Sequence, residues 1–304
     1  MHTTNKQRLS PELIGVGMVL LSALVFGVAP SAGKIAYQEG ANPITVVFTR
    51  CVIGALGLGI YLYFRKLPFR IELNHLIGMS RTGFTQMLLT TGILGSVAYI
   101  DVSLTVLIIF FHPFLVALID HFYGDNRFSL KLFLIIACAI GGLALALSVN
   151  FQNVSPLGIG MAVVGMLGAT AMLVLMVKDG RRIGVLTANF YMMCWASAFV
   201  LLGIVIATFT SLIAEPAFPQ SSLGWWAMLT AAVASTIAYG AFFIGADIIG
   251  STRASIISIS EPIVVILFAI LLLNEWLSLA QWCGVTIVVV SLLLMELGVA
   301  KKLS

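Results

Sequence analysis

The sequence predicts an all-α membrane protein with ten transmembrane helices, arranged as two inverted five-helix repeats. Hydrophobic residues make up 60% of the chain and charged residues only 9%, with a mean hydropathy of +1.09. Soluble domains carry about 25% charged residues, so this composition is typical of a chain embedded in lipid. The chain also partly matches itself at a shift of 149 residues, which indicates an internal repeat.

Ten apolar runs follow one another along the chain, each close to the ~20 residues that cross a hydrocarbon core of about 30 Å. The third run is the weakest, because Arg81, Thr82, Thr85 and Gln86 interrupt its first half. The connections are short and leave no room for a soluble domain. The predicted spans are 12–34, 43–64, 75–98, 102–121, 130–149, 157–177, 185–209, 223–246, 253–273 and 278–298, with tails at 1–11 and 299–304.

The positions of the basic residues predict that both tails lie in the cytoplasm. With the N-terminus inside, the inner segments carry 13 of the 16 Lys and Arg residues, whereas the outer loops carry mainly acids. This bias satisfies the positive-inside rule. The inner set is Lys6, Arg8, Arg65, Lys66, Arg70, Arg127, Lys131, Lys178, Arg181, Arg182, Arg253, Lys301 and Lys302, and the outer acids are Glu39, Asp101, Glu215 and Glu275.

The internal repeat divides the chain into the halves 12–149 and 157–298. At the shift of 149, His112-Pro113 aligns with Glu261-Pro262, and the segment 125–129 aligns with 274–278. The opening Gly15-Val16-Gly17-Met18 aligns with Gly158-Ile159-Gly160-Met161 at a shift of 143. Five is an odd number of helices, so the second half starts on the opposite side of the membrane and the halves are predicted to be inverted.

These residues resemble the EamA family of the drug/metabolite transporter superfamily over about 12–298. The similarity is strongest in Gly250-Ser251-Thr252-Arg253-Ala254-Ser255, in Glu261-Pro262 and in the segment 273–278, and Lys34 and the Pro43–Arg50 spacing also match. The resemblance implies a ten-helix carrier of the cell inner membrane that often exports amino acids or other metabolites. The first half departs from the pattern, because His112 stands where the second half has Glu261.

Ionisable residues inside spanning helices are candidate functional groups, because they are costly in lipid unless they face protein or water. Glu261 and His112 both fall near the predicted midplane. Glu261 is a candidate site for a proton or a substrate ammonium, and His112 for proton exchange or a hydrogen bond to a carboxylate. The alternative for both is a structural role at a helix interface beside the neighbouring proline. Pro113 and Pro262 are either hinges or packing bends.

Further candidates lie on the first, second, seventh and eighth predicted helices. Arg50 is about 10 Å into its helix, where an anion contact or internal ion pair competes with snorkelling. Snorkelling to the outer surface explains Lys34, with substrate contact as the alternative. Tyr191, Trp195 and Tyr239 lie deep enough to line a cavity, although for any single one of them lipid contact or core packing is the favoured interpretation.

A secondary carrier with alternating access is the function that this pattern favours, with amino-acid-like cargo and export, and with proton coupling dependent on Glu261. Uniport or exchange, and efflux of drugs or purines, are the alternatives. A channel would require charged rings or a carbonyl filter, and a membrane enzyme would require clustered catalytic groups or metal ligands. Neither pattern occurs, and there is no phosphate-binding lysine motif, so no cofactor or metal is expected.

The expected partners are the lipid bilayer and a small-molecule substrate. Nucleic acid is excluded because the chain has no basic face, and the net charge is only +4. The four cysteines are isolated in apolar runs and are interpreted as packing residues. Pairs of small residues at four-residue spacing indicate close helix packing or a homodimer; they are Ala23/Gly27, Ala29/Gly33, Ala55/Gly59 and Ala137/Gly141.

Overall fold

The computed structural model describes residues 11–112, 114–115, 119, 130–147, 155–210, 215–249, 254, 257–258 and 260–303. Within these residues the chain is all-helical, and ten helices are assigned. They are α1 (Pro11–Gln38), α2 (Pro43–Phe64), α3 (Leu73–Ser96), α4 (Val102–Ile109), α5 (Leu130–Leu147), α6 (Pro156–Ile183), α7 (Val185–Thr210), α8 (Ser222–Ile249), α9 (Ser260–Leu273) and α10 (Leu279–Leu303).

Helix boundaries agree closely with the apolar runs where a strong end signal is present. At α2, Asn42 accepts a hydrogen bond from the Thr45 amide at 3.2 Å, and Pro43 occupies the first turn. A short polar side chain followed by proline is a typical helix start, which explains why the predicted and observed bounds of α2 coincide. The helices α1 and α6 extend past the predicted spans, because their polar last turns, Gly33–Gln38 and Lys178–Ile183, continue the helix.

Helix α4 is interrupted within its predicted span, because the described residues 112, 114, 115 and 119 are helical again after the break. Its regular hydrogen bonding ends at Ile109, after which the Phe111 and Phe114 amides bond to carbonyls three residues back, Ile108 and Phe111, at 3.1 Å each. Three-residue spacing marks a tighter turn than the α-helix. Proline at position 113 lacks the amide that would bond to the Ile109 carbonyl, which explains why the regular helix is interrupted there. Pro113 itself lies outside the described residues.

Length and composition support five of the ten predicted spans among the described residues. They are Pro11–Gln38, Pro43–Phe64, Pro156–Met176, Val185–Ile206 and Ser222–Ala246, and two shorter apolar helices are Ser260–Leu273 and Leu279–Leu294. Helix α3 has the right length, but its Thr, Gln and Arg residues lower its hydropathy. The chain is therefore a multi-pass membrane protein.

The two halves pack on each other through equivalent helix pairs. Helix α1 packs on α8, and α3 packs on α6. A Cβ atom added at Gly15 would collide with Ile248 and Ile249, and one added at Gly158 would collide with Tyr99 and Ile100. The glycines are related by a shift of 143 (158 − 15) and their partners by 149 (249 − 100), the two shifts found in the sequence. The halves thus share one packing scheme.

The connections gather at two ends of the bundle. The acidic end comprises the segments 38–42, 97–101, 215–221 and 274–278, which carry Glu39, Asp101, Glu215 and Glu275. Its connections touch one another: the Gln220 amide donates to the Glu39 carbonyl at 2.9 Å, and the Asn42 side chain donates to the Glu215 carbonyl at 2.6 Å. The basic end comprises the segments 65–72 and 181–184, which carry Arg65, Lys66, Arg70, Arg181 and Arg182.

Candidate functional site

Arg50 is buried in the bundle interior two turns into α2. Only 5% of the residue is exposed, and its guanidinium carbon lies 6.0 Å from the centre of the Tyr239 ring on α8. This is the distance range in which a cation is attracted to an aromatic face. Arg50 therefore turns into the protein rather than out towards the nearer membrane surface.

Gln86 extends this polar cluster on α3. Its Nε2 atom lies 3.0 Å from Thr90 Oγ1 and 3.5 Å from Tyr239 Oη. Thr82, Gln86 and Thr90 have no exposed surface, and their four-residue spacing places them on one helix face. In the sequence Thr82 and Gln86 stand out only as interruptions of an apolar run, and their four-residue periodicity is the signal that identifies an inward-facing polar stripe.

Glu261 adds a carboxyl group to the same region from α9, within electrostatic range of Arg50 and Tyr239. Among the described residues, Arg50 and Glu261 form no ion pair within 4.0 Å. The guanidinium and the carboxyl group are therefore near each other without direct contact.

Two polar atoms at this site have no hydrogen-bond partner in the described part of the protein. They are Arg50 Nε, a donor, and Gln86 Oε1, an acceptor, and both are buried. A buried polar atom without a partner costs about 1–3 kcal/mol, so such atoms usually indicate a missing ligand or water. We name Arg50, Gln86, Tyr239 and Glu261 the central cluster. It offers donors to an anionic group and a carboxylate to a cationic group.

Lys34 lies apart from the central cluster, at the acidic end. Its Nζ atom is 2.8 Å from Glu275 Oε1, 3.3 Å from the Ile100 carbonyl and 3.5 Å from Asp101 Oδ1. Glu275 also accepts from the amides of Val102 and Ser103 at 3.3 and 3.4 Å, the first amides of α4. A carboxylate at a helix N-terminus is stabilised by the helix dipole. Lys34 therefore links α1, α4 and the α9–α10 connection.

His112 lies beside the irregular end of α4. Its Nδ1 atom is 3.0 Å from the Ile109 carbonyl, the group that residue 113, being proline, leaves without a backbone donor. Its ring also packs beside Phe110, with centroids 5.9 Å apart. None of the interactions described for His112 involves Glu261 or Arg50.

Tyr191 and Trp195 bind backbone near the basic end. The Tyr191 hydroxyl donates to the Phe69 carbonyl, and Trp195 Nε1 donates to the Leu76 carbonyl at 3.0 Å. These bonds attach α7 to the α2–α3 connection and to the first turn of α3. Tyr239 is the one of the three predicted aromatic residues that joins the central cluster. Pro262 is buried directly after Glu261 at the start of the continuous part of α9.

The described residues contain no group of three or more His, Cys, Asp or Glu side chains arranged to hold a metal ion. The central cluster has a single carboxyl group and no imidazole, and its neighbouring sulfur group is the thiol of Cys51. Its donor set fits an organic solute with charged groups.

A family model described as the EamA-like transporter family matches residues 13–148 and again residues 156–297. The chain belongs to the EamA-like transporter family. The resemblance noted in the sequence is thereby confirmed. The two matches are successive copies of one unit, and the family consists of membrane transporters rather than enzymes.

The fold of this EamA-like transporter has solved counterparts. A crystal structure of a protein covers 98% of the chain and 100% of its own length, with 16% sequence identity and a TM-score of 0.62. At that identity the likeness concerns the fold alone. A comparison with curated protein sequences finds no match.

Proposed function

We propose that this EamA-like protein is a secondary active transporter that exports small zwitterionic metabolites resembling amino acids, by alternating access. The observation that carries the proposal is the separation of Arg50 from Glu261 in one buried cluster, with Arg50 Nε and Gln86 Oε1 unpaired. A zwitterion bound between them would place its carboxylate at Arg50 and its ammonium at Glu261. Charge-assisted hydrogen bonds of this kind are about twice as strong as neutral ones.

The proposed architecture is ten transmembrane helices in two inverted repeats, in the cell inner membrane with both termini in the cytoplasm. The equivalent packing of Gly15 and Gly158 supports the duplication, and the charge bias between the two ends supports the orientation. The acidic end is then external and the basic end cytoplasmic. Inverted repeats with a site at their interface are the usual basis of alternating access.

Proton coupling is part of the proposal. Glu261 is the acidic side chain of the central cluster, so proton and substrate ammonium would compete for one carboxylate. A proton that binds Glu261 from the outside would displace the cargo there. The carrier would then carry this proton to the cytoplasmic side as it turns inward without cargo. Export driven by a proton gradient follows from this competition without a second site.

The test is counterflow in proteoliposomes, with a mixture of 14C-labelled proteinogenic amino acids outside and the same amino acids, unlabelled, inside. We expect accumulation by the wild type and a loss of about tenfold or more in Arg50→Met and Glu261→Gln, because each removes one charged hydrogen-bond partner. Glu72→Gln is the matched control, since the Glu72 side chain is 81% exposed at the basic end. Equal counterflow in all four proteins would refute the assignment of the site.

A further inference from the structure

Asn189 is a fully buried amide whose two polar atoms both lack a partner. It has 0% exposure, and neither Nδ2 nor Oδ1 has a hydrogen-bond partner within the described residues. Burying an amide without hydrogen bonds is unfavourable relative to leaving it in water. Packing alone would favour leucine at this place, so the amide requires another explanation.

Asn189 lies on the basic side of the central cluster. Met193 lies one turn after Asn189 on α7, and its Sδ atom is 3.3 Å from the position of a Cβ at Gly54. Gly54 lies one turn after Arg50 on α2. Because α2 runs towards the basic end and α7 runs away from it, the four residues from Arg50 to Gly54 and the four from Met193 back to Asn189 both lead towards the basic end. At 1.5 Å per residue, Asn189 is about 12 Å nearer the basic end than Arg50.

The unpaired polar atoms follow the depth of the bundle. Beginning at the acidic end, Ser103 lies in the first turn of α4, and Ser31 and Arg50 lie about two turns inside their helices. Gln86 follows on α3, and Asn189 is the last before the basic end, four residues after the start of α7. Together these atoms of the described residues span most of the depth of the bundle, as polar groups along a solute path would.

Methionines lie close to Asn189 on the same face of α7. Asn189 precedes Met192 and Met193 by three and four residues, which places all three on one helix face. These methionines belong to one buried cluster with Leu58 and Tyr239, whose further methionines are Met79, Met172 and Met176. Methionine side chains are flexible and repack readily, so a wall of them can part and close again.

We propose that Asn189 lines a solute path that opens towards the basic end, and that its amide is a second binding point for the polar groups of the cargo. The methionine cluster closes this path in the structure described here and receives the apolar part of the cargo. The identity of the cargo as a zwitterion rests on the proposed function, whereas the opening of a path at Asn189 is independent of which solute is carried.

Cysteine labelling tests the path without any knowledge of the substrate. Asn189→Cys and the control Ala188→Cys are made in a chain in which Cys51, Cys138, Cys194 and Cys283 are changed to alanine. Ala188 has the same 0% exposure and lies next to Asn189. In inside-out vesicles, a membrane-impermeant cationic methanethiosulfonate should label Asn189→Cys about tenfold faster than the control, since thiol reaction requires access.

Equal labelling of the two cysteines would overturn the proposal. Protection of Asn189→Cys by a mixture of protein amino acids would support both the path and the cargo class. Labelling without protection would support the path and count against amino acids as cargo, so the two proposals fail separately.

Transport and stability of Asn189→Leu provide the second test. We expect counterflow to fall about tenfold while the thermal midpoint stays level or rises, because leucine removes an unpaired buried amide. Asn189→Asp, which keeps a polar group, should retain more transport. Thr170→Val is the control: its hydroxyl bonds to the Met166 carbonyl at 2.9 Å, so its loss should affect stability rather than transport. A destabilised Asn189→Leu with wild-type counterflow per folded protein would refute the proposal.

Discussion

His112 shows how a single neighbouring residue determines the role of an ionisable side chain. Proline at position 113 leaves the Ile109 carbonyl without its backbone donor, and His112 Nδ1 lies 3.0 Å from that oxygen. A neutral imidazole that donates from Nδ1 satisfies this carbonyl. This contact fits the structural role weighed for His112 in the sequence, and proton exchange at His112 stays a prediction.

Replacing His112 by leucine should lower stability and leave the chemistry of transport intact. Leaving the Ile109 carbonyl without a donor should lower the free energy of unfolding by about 1–3 kcal/mol. His112→Asn and His112→Gln keep a donor, so they should lower it less. Thermal unfolding and counterflow per folded protein measure the two effects. A stable His112→Leu protein with abolished counterflow would instead indicate that the imidazole carries protons.

Charge in a lipid environment made Arg50 and Glu261 predictable from the sequence, but the same reasoning does not reach uncharged amides. Glutamine and asparagine occur in spanning helices in many packing roles. Only the hydrogen-bonding atoms without a partner among the described residues distinguish Gln86 and Asn189 from such packing residues. The partner of Lys34 could not be predicted either, because Glu275 is 241 residues away and no local pattern joins the two.

The acidic end illustrates how helices are joined at the scale of the element. Glu275 binds Lys34 of α1 and the first amides of α4 together, and its side chain is only 10% exposed. Asp101 also approaches Lys34, at 3.5 Å, but its side chain is 68% exposed. Exposed ion pairs contribute little, so Glu275 rather than Asp101 holds this contact.

Glu275→Gln and Lys34→Met should each loosen the acidic end, and the double variant should be less affected than the sum of the two. We expect a coupling energy of about 0.5–3 kcal/mol in thermal unfolding, as is usual for residues in direct contact. Asp101→Asn is the matched control and should change stability little. Strict additivity of Lys34→Met and Glu275→Gln would show that the pair does not hold the helices together.

Glycine pairs provide a test of the repeated packing. Gly15 and Gly158 face a neighbouring helix closely, whereas Gly17 and Gly160, two residues later, have no atom within 4 Å of an added Cβ. We expect Gly15→Ala and Gly158→Ala to lower the stability by about 1–3 kcal/mol through overpacking. Gly17→Ala and Gly160→Ala should be neutral or stabilising, since alanine favours the helix. A destabilising effect confined to one half would contradict the equivalence of the repeats.

At the scale of the whole molecule, the sequence predicts the repeat well. Apolar runs recur along the chain, and His112-Pro113 in the first half aligns with Glu261-Pro262 in the second at a fixed shift. The sequence predicts membrane spans less securely, because several helices near the interior, α3 above all, carry polar residues that lower their hydropathy. The relation between the halves depends on contacts such as Gly15 with Ile249 and Gly158 with Ile100, which sequence alone does not contain.

In the proposed transporter, Arg50 and Glu261 hold the two charges of one zwitterion between them. Competition for counterflow by the wild-type protein tests this most directly. Three competitors are compared: an L-amino acid, its amide, which lacks the carboxylate, and its N-acetyl derivative, which lacks the ammonium. We predict that the amino acid competes about tenfold or more better than either derivative, because each derivative leaves one charged partner unbound. Equal competition by all three, or stronger competition by an uncharged apolar compound, would contradict the account.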